Sequence, residues 1–258
     1  MKQRTLRGNH YTGTRMSEST PRFLGWDLTD PYARVPRPVD VADVDPHGRV
    51  RFTEHPWPAV SRTRGFDTGL LLEAFPLQTK DVLVIDGPQA LARPGASVRE
   101  AERLLHAPGR TPDVLPEPGR PFSGFVRGSV LLFAALHAQG RHPMLDMDTP
   151  ALTQARLFEA FPGATWRALA VEKLGAKASR TGRAQRLAML EARGLRFPSG
   201  LLPTHDQLDA ALCAWLGWLT RTAPEHVTAV GAPLTVDAEG WLREGRILDV
   251  RRPWPSSA

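Results

Sequence analysis

Apolar positions alternate, cluster or recur every three to four residues in different parts of this chain, and each rhythm predicts an element. FLGWDLT at 23–29 is a short apolar run ending at an acid, the pattern of a buried strand. At 38–55, PVDVADVDPHGRVRFTEH alternates on both sides of a D-P-H-G turn, which predicts a β-hairpin. DVLVIDGP at 81–88 is apolar up to Asp86 and a Gly-Pro breaker, as expected of a central strand covered on both faces. ARLFEAFP at 155–162 reads as a strand interrupted by Glu159 and stopped by Pro162, and RILDV at 246–250 as a last short strand. Helical spacing appears at 97–107, with Ser97 as cap and Val98, Ala101, Leu104 and Leu105 on one face. It recurs in GSVLLFAALHAQG at 128–140, closed by Gly140, and in GRAQRLAMLEARG at 182–194. GFDTGLLLEAF at 65–75 is a shorter helix candidate, and the Pro- and Gly-rich stretch 108–124 is a flap or a surface excursion.

The best-marked helix is THDQLDAALCAWLGWLT at 204–220. Thr204 and Gln207 have capping-box spacing after Pro203, and Leu208, Ala211, Leu212, Trp215 and Leu219 give it one face to bury. Asp206 lies in the first turn, where the helix dipole favours an acid by roughly 0.3–1 kcal/mol. Asp209 is a turn deeper, beside the apolar stripe, where a carboxylate needs a hydrogen bond, a cation or a metal ion. Structural pairing and metal ligation are both open to it on these grounds.

Strands interspersed with helices, without an internal repeat or linker, predict one domain of mixed α/β class over 21–252. Residues 1–20 are basic, polar and nonperiodic and read as a flexible arm, and 253–258 as a short tail. With 33 Lys and Arg against 27 Asp and Glu, the net charge of +6 points to an anionic partner, and nearly all the basic residues are Arg, the better phosphate clamp. Lys177, Arg180, Arg183 and Arg186 form a candidate nucleic-acid or phosphate patch, with a solvated face as the alternative. The single cysteine, Cys213, has no partner for an internal disulfide, which fits a cytoplasmic protein, and no stretch has the apolar length of a membrane span. Oligomeric state is not legible.

Asp27, Asp86 and Glu159 each stand at or near the C-terminal end of a predicted strand, the end where sites form in sheets flanked by helices. Converging there with Asp206 and Asp209, they would repel one another unless a cation intervened, and an oxygen-only set suits Mg²⁺ or Mn²⁺. Two such ions serve phosphodiester cleavage.

A strand acid, a hairpin, a second strand acid and an acid-bearing late helix resemble the RNase H-like fold, and HDQLDAALCA is similar to the last helix of Holliday-junction resolvases of the RuvC type. The ordered set GWDLT, VIDGP, Arg99 with Glu102, FEAFPGATW, KASRTGRAQRLAML, THDQLDAALCA and EGRIL, from about Phe23 to Val250, resembles the domain of unknown function 429 family, regarded as predicted RNase H-like nucleases. The resemblance implies a mixed central β-sheet flanked by α-helices. It also implies a metal-binding catalytic core of Asp27, Asp86 and Asp209, with Glu159 and Asp206 as further ligands, and DNA or RNA as partner. ILDVRRP departs from the family's usual hydrophobic ending.

Each acid has an alternative: Asp27 and Asp86 as turn residues, Glu159 facing solvent, Asp206 serving the helix dipole, with His205 a helix-end surface residue or a proton carrier. The absence of G-x-x-x-x-G-K-[ST], G-x-S-x-G, C-x-x-C and H-E-x-x-H argues against a P-loop NTPase, an α/β-hydrolase and the common zinc sites. Sugar kinases and actin-like ATPases share the RNase H-like core, but their phosphate loops need glycines after the first acid, where this chain has Leu-Thr-Asp-Pro. The expectation is a metal-dependent nuclease. Its rivals are a nucleic-acid-binding protein that does not cleave and a hydrolase of small phosphoesters or nucleotides.

Overall fold

The computed structural model describes residues 21–251 apart from 59, 62–64, 67–69, 71 and 72, and of 60, 61, 65 and 66 the backbone alone. The expected arm at 1–20 and tail at 253–258 lie outside the described residues, as do 67–69, 71 and 72 of the helix expected at 65–75, whose first two residues stand in a short strand instead.

The sheet has seven strands. β1 (Phe23–Asp27), β2 (Val39–Val44) and β3 (Val50–His55) form an antiparallel meander. Asp45 makes the hairpin turn, its Oδ1 accepting from the backbone N–H of His47 and Arg49, while Gly48 takes a φ of 77°. Two short pairs lie outside the main sheet: β4 (Val60–Ser61) with β5 (Gly65–Phe66), and β9 (Leu234–Val236) with β10 (Leu242–Glu244). β6 (Val82–Asp86) runs parallel to β1 on one side and to β7 (Leu157–Ala160) on the other. β11 (Ile247–Val250) is parallel to β7 and antiparallel to β8 (Val227–Val230), giving the order β3-β2-β1-β6-β7-β11-β8.

Alternation along these strands sorts the core into two layers. Phe23, Val82, Val84, Phe158 and Ala160 face α5 (His205–Thr222), whereas Leu24, Trp26, Leu83, Ile85 and Leu157 face α2 (Ser123–Ala138). The sheet is therefore mixed, central and covered by helices on both faces. α5 lies across β1, β2 and β6 in the middle of the sheet rather than over an edge. Gly25 permits the approach, since a Cβ there would stand 1.9 Å from the Ala210 carbonyl oxygen and 2.4 Å from the Ala214 nitrogen.

Three boundaries differ from the sequence reading. The helix expected from Ser97 is the short α1 (Glu100–Leu104), with Arg99 at its N-cap position donating its backbone N–H and its Nε to the Glu102 carboxylate. α2 begins five residues before Gly128, at Ser123. Pro162 does not merely stop β7 but opens α3 (Pro162–Leu169), because its fixed φ and missing N–H suit a first helical turn. α4 (Arg180–Glu191) follows, with Ser179 accepting from the Gly182 N–H.

Candidate active site

β1 and β6 carry Asp27 and Asp86 as register partners at their C-terminal ends, so both side chains leave the sheet on the α5 face. Asp209, on the second turn of α5, comes down onto the same face and is only 4% exposed. Asp27 is 8% exposed. Asp206, one turn earlier, shares a hydrogen bond with Asp27, and Asp40 of β2 is the register partner of Asp27 on its other side. Sequence reasoning passed over Asp40, whose alternation marked it only as an outward residue.

The electrostatics follow from crowding acids against an apolar layer. Burial, then repulsion from Asp86, Asp209 and Asp206, pushes the Asp27 carboxyl well above its ordinary range. Burial, then repulsion from Asp209, raises Asp86 to about 7, with a hydrogen bond from Asp27 and the charge of Lys177 pulling the other way. Burial and the proximity of Asp206 lift Asp40 to about 6. Burial alone would raise Asp206 as well, but hydrogen bonds from Arg37 and Asp27 carry it below its usual value. Asp27, Asp86 and Asp206 share hydrogen bonds and titrate as a group.

Cations already attend two of the acids. Lys177 Nζ lies 3.1 Å from Asp209 Oδ2, and Trp166 Nε1 donates to Asp209 Oδ1 at 2.6 Å. Arg37 donates to Asp206 Oδ2 at 3.0 Å, and His205 Nδ1 stands 2.6 Å from Asp206 Oδ1. Arg37 had no signal in the sequence, since it reaches α5 from 169 positions away.

Glu159 does not join these acids. Its register partner is Ile85, not Asp86, so its side chain leaves β7 on the opposite face. There Arg99, wholly buried, grips both oxygens at 2.6 and 2.5 Å, and the Gln89 N–H donates to Oε2 at 2.9 Å. Arg99 also holds Glu102, which accepts from Thr111, so Glu159 is the core of a buried polar network. With both its oxygens committed to a guanidinium on the far face, Glu159 has no lone pairs turned towards Asp27 and Asp86.

The four cations grouped in the sequence separate. Lys177 is at the acids, Arg183 donates to the Pro203 carbonyl at 3.1 Å and Arg180 is exposed. Arg186 is 8% exposed, lies over the Trp166 ring and donates to the carbonyls of Gly175 and Gly182, closing the loop that carries Lys177. Beside the acids opens a cavity of about 540 Å³ whose wall includes Asp86, Asp209, Phe161, Trp166, Lys177 and Arg186.

Residues 70–235 match the family model described as "Protein of unknown function (DUF429)". The chain belongs to this family. The matched span holds Asp86, Asp206, Asp209 and the cavity wall of this DUF429 chain, but begins after β1 and Asp27. No curated protein and no solved structure matches the chain.

Asp27, Asp86 and Asp209 offer only oxygens, and raised carboxyls in mutual repulsion are groups that a cation would relieve. Among the described residues, however, no three Asp, Glu, His or Cys side chains stand ready to hold a metal ion. Lys177 and Trp166 occupy the two oxygens of Asp209.

Proposed function

We propose that this chain is a metal-dependent phosphodiester hydrolase, a nuclease of RNase H-like type, with Asp27, Asp86 and Asp209 as the carboxylate core. The observation that carries the reading is the in-register pair Asp27 and Asp86 at the ends of adjacent parallel strands, with Asp209 lowered onto them by α5. The β1–β3 meander joined through β1 to parallel β6 and β7, with a late helix over β1, supports the RNase H-like assignment.

Asp27, Asp86 and Asp209 would hold Mg²⁺ or Mn²⁺, with Asp206 flanking. The bound ions supply an activated water and stabilise the leaving oxygen of the phosphodiester. The chain's own residues set up that chemistry. The repulsion that raises Asp27 is what a bound cation would relieve, so Asp27 would lose its proton more readily with the site filled. Trp166 fixes the rotamer of Asp209 through Oδ1, leaving Oδ2 as the oxygen that exchanges Lys177 for another cation. Lys177 lines the cavity, where its ammonium could also meet a phosphate oxygen.

The test is cleavage of labelled DNA, RNA and hybrid substrates in Mg²⁺ and Mn²⁺, beside an identically purified Asp27→Asn/Asp209→Asn protein. Cleavage by the parent and none by the double variant is expected. Equal cleavage by both would reject the carboxylate core. A second reading, hydrolysis of a small phosphoester or nucleotide, is favoured by a cavity of only about 540 Å³. Product analysis on mononucleotides against oligonucleotides separates the two.

A further inference from the structure

Arg186 stands out among the buried side chains of the cavity wall. It is more than nine-tenths buried, no carboxylate lies within ion-pairing distance of it among the described residues, and its buried Nε has no hydrogen-bond partner. Its Nη1 is spent on the carbonyls of Gly175 and Gly182, which satisfy hydrogen bonds but do not neutralise charge. The nearest anion is the Asp209 carboxylate, which Lys177 already pairs, so the buried guanidinium is only partly neutralised, and its position at a cavity points to a further anion from outside. The same wall carries Lys173, exposed and without an ion-pair partner among the described residues, and Arg167, which lies over the Phe161 ring. α3 opens at this cavity through Gly163, the one residue of its first turn that offers an N–H, since Pro162 has none and the Ala164 and Thr165 N–H groups donate to the Phe161 carbonyl.

We propose that Arg186, Lys173 and the start of α3 form an anion subsite that takes a phosphate group beside the carboxylates. The ligand is a phosphate carried free, on a mononucleotide or in a single strand; the planar guanidinium of Arg186, the Lys173 ammonium and the Gly163 N–H can each bond one of its oxygens. The subsite deepens the hydrolase reading, on which its purpose rests, by placing a substrate phosphate next to Asp86 and Asp209. Its existence does not require cleavage. Arg186 also pins the 175–182 loop, so binding must be read apart from folding.

The measurement is calorimetric binding at low salt in chelator, with inorganic phosphate, a nucleoside 5′-monophosphate and a short single-stranded oligonucleotide as probes. All three are expected to bind, the order of affinity telling whether the natural ligand is a small anion, a nucleotide or a strand. Arg186→Met should weaken binding by at least ~10-fold, as for a lost charged hydrogen bond. Lys173→Met, an exposed change that leaves the fold alone, should weaken it ~2- to 5-fold. Arg186→Lys should restore part of the loss. No binding of any probe by the parent, or equal binding by the parent and Lys173→Met, overturns the subsite. Binding without metal-dependent cleavage leaves the subsite standing and rejects the hydrolase, whereas metal-dependent cleavage by a parent that binds none of the probes does the reverse.

Discussion

Asp86 ionises near 4 in an unfolded chain and at about 7 in the folded one, because burial and Asp209 oppose its charge. Between those values the folded state keeps a proton that the unfolded state has lost. Stability therefore falls as pH rises from about 4 to about 7, by at most roughly 1.4 kcal/mol per pH unit for one such group, and levels off above. Asp27, also raised, and Asp40, raised to about 6, act in the same direction. In chelator, the urea midpoint should drop between pH 5 and pH 7, and Asp86→Asn should remove much of the slope; a midpoint that climbs with pH would contradict the acid group as described. Asp27, Asp86 and Asp209 were legible because each interrupts or ends an apolar run, where a carboxylate has to be explained. Glu159 looked the same by that criterion, yet one step of strand register turned it to the other face, and its partner Arg99 lies 60 positions away. Register is a property of two strands, and neither alone states it.

The contact of α5 with β1 decides whether those residues meet. Its cap and its buried stripe could be read directly from Thr204, Gln207 and the Leu and Trp spacing, and both are found. The glycine that lets the helix sit so close could not, since Gly25 differs from other strand glycines only in what lies above it. Gly25→Ala would place a methyl group 1.9 Å from the Ala210 carbonyl, so α5 must lift or the strand must bend. Overpacking of this kind costs about 1–3 kcal/mol and more against backbone, and the lift separates Asp209 from Asp27. Denaturation should show the loss, and divalent-cation binding by the protein that remains folded should fall further than Asp206, on the outer turn, can account for. On the opposite face, Arg99 joins α1 to β7 and to the Glu244 carbonyl of β10. Arg99→Met would strand Glu159 and Glu102 as buried charges, at about 3–5 kcal/mol, the usual cost of breaking a buried pair from one side. A change below 1 kcal/mol would mean that the network is solvated. α3 escaped the sequence reading for a reason of the same kind: a proline after a strand signals an end, and only the chain beyond it makes that end a beginning.

Across the whole molecule, the alternation of strands and helices gave the class and most of the elements, but the order β3-β2-β1-β6-β7-β11-β8 depends on pairings between segments far apart in sequence. That order is what sets acids from residues 27, 40, 86 and 209 around one point beneath α5. Such a molecule stores repulsion among its acids in the folded state, eased by the hydrogen bonds they share and by the ammonium of Lys177. A divalent cation taken up by these carboxylates binds the folded chain alone, and at a hundred times its dissociation constant it would add about 2.7 kcal/mol, roughly 5 °C or more in melting temperature for a chain of this size. Mn²⁺ should therefore raise the melting temperature at pH 8 and do much less at pH 5, where the proton already relieves the repulsion. The shift should vanish in Asp27→Asn/Asp209→Asn. Lys177→Met should enlarge it at low Mn²⁺, because the cation no longer has to displace an ammonium from Asp209 Oδ2. A shift equal in parent and double variant would place the cation elsewhere, and a Lys177→Met protein with weaker uptake than the parent would mean that the lysine helps to build the metal site instead of standing in for its ion.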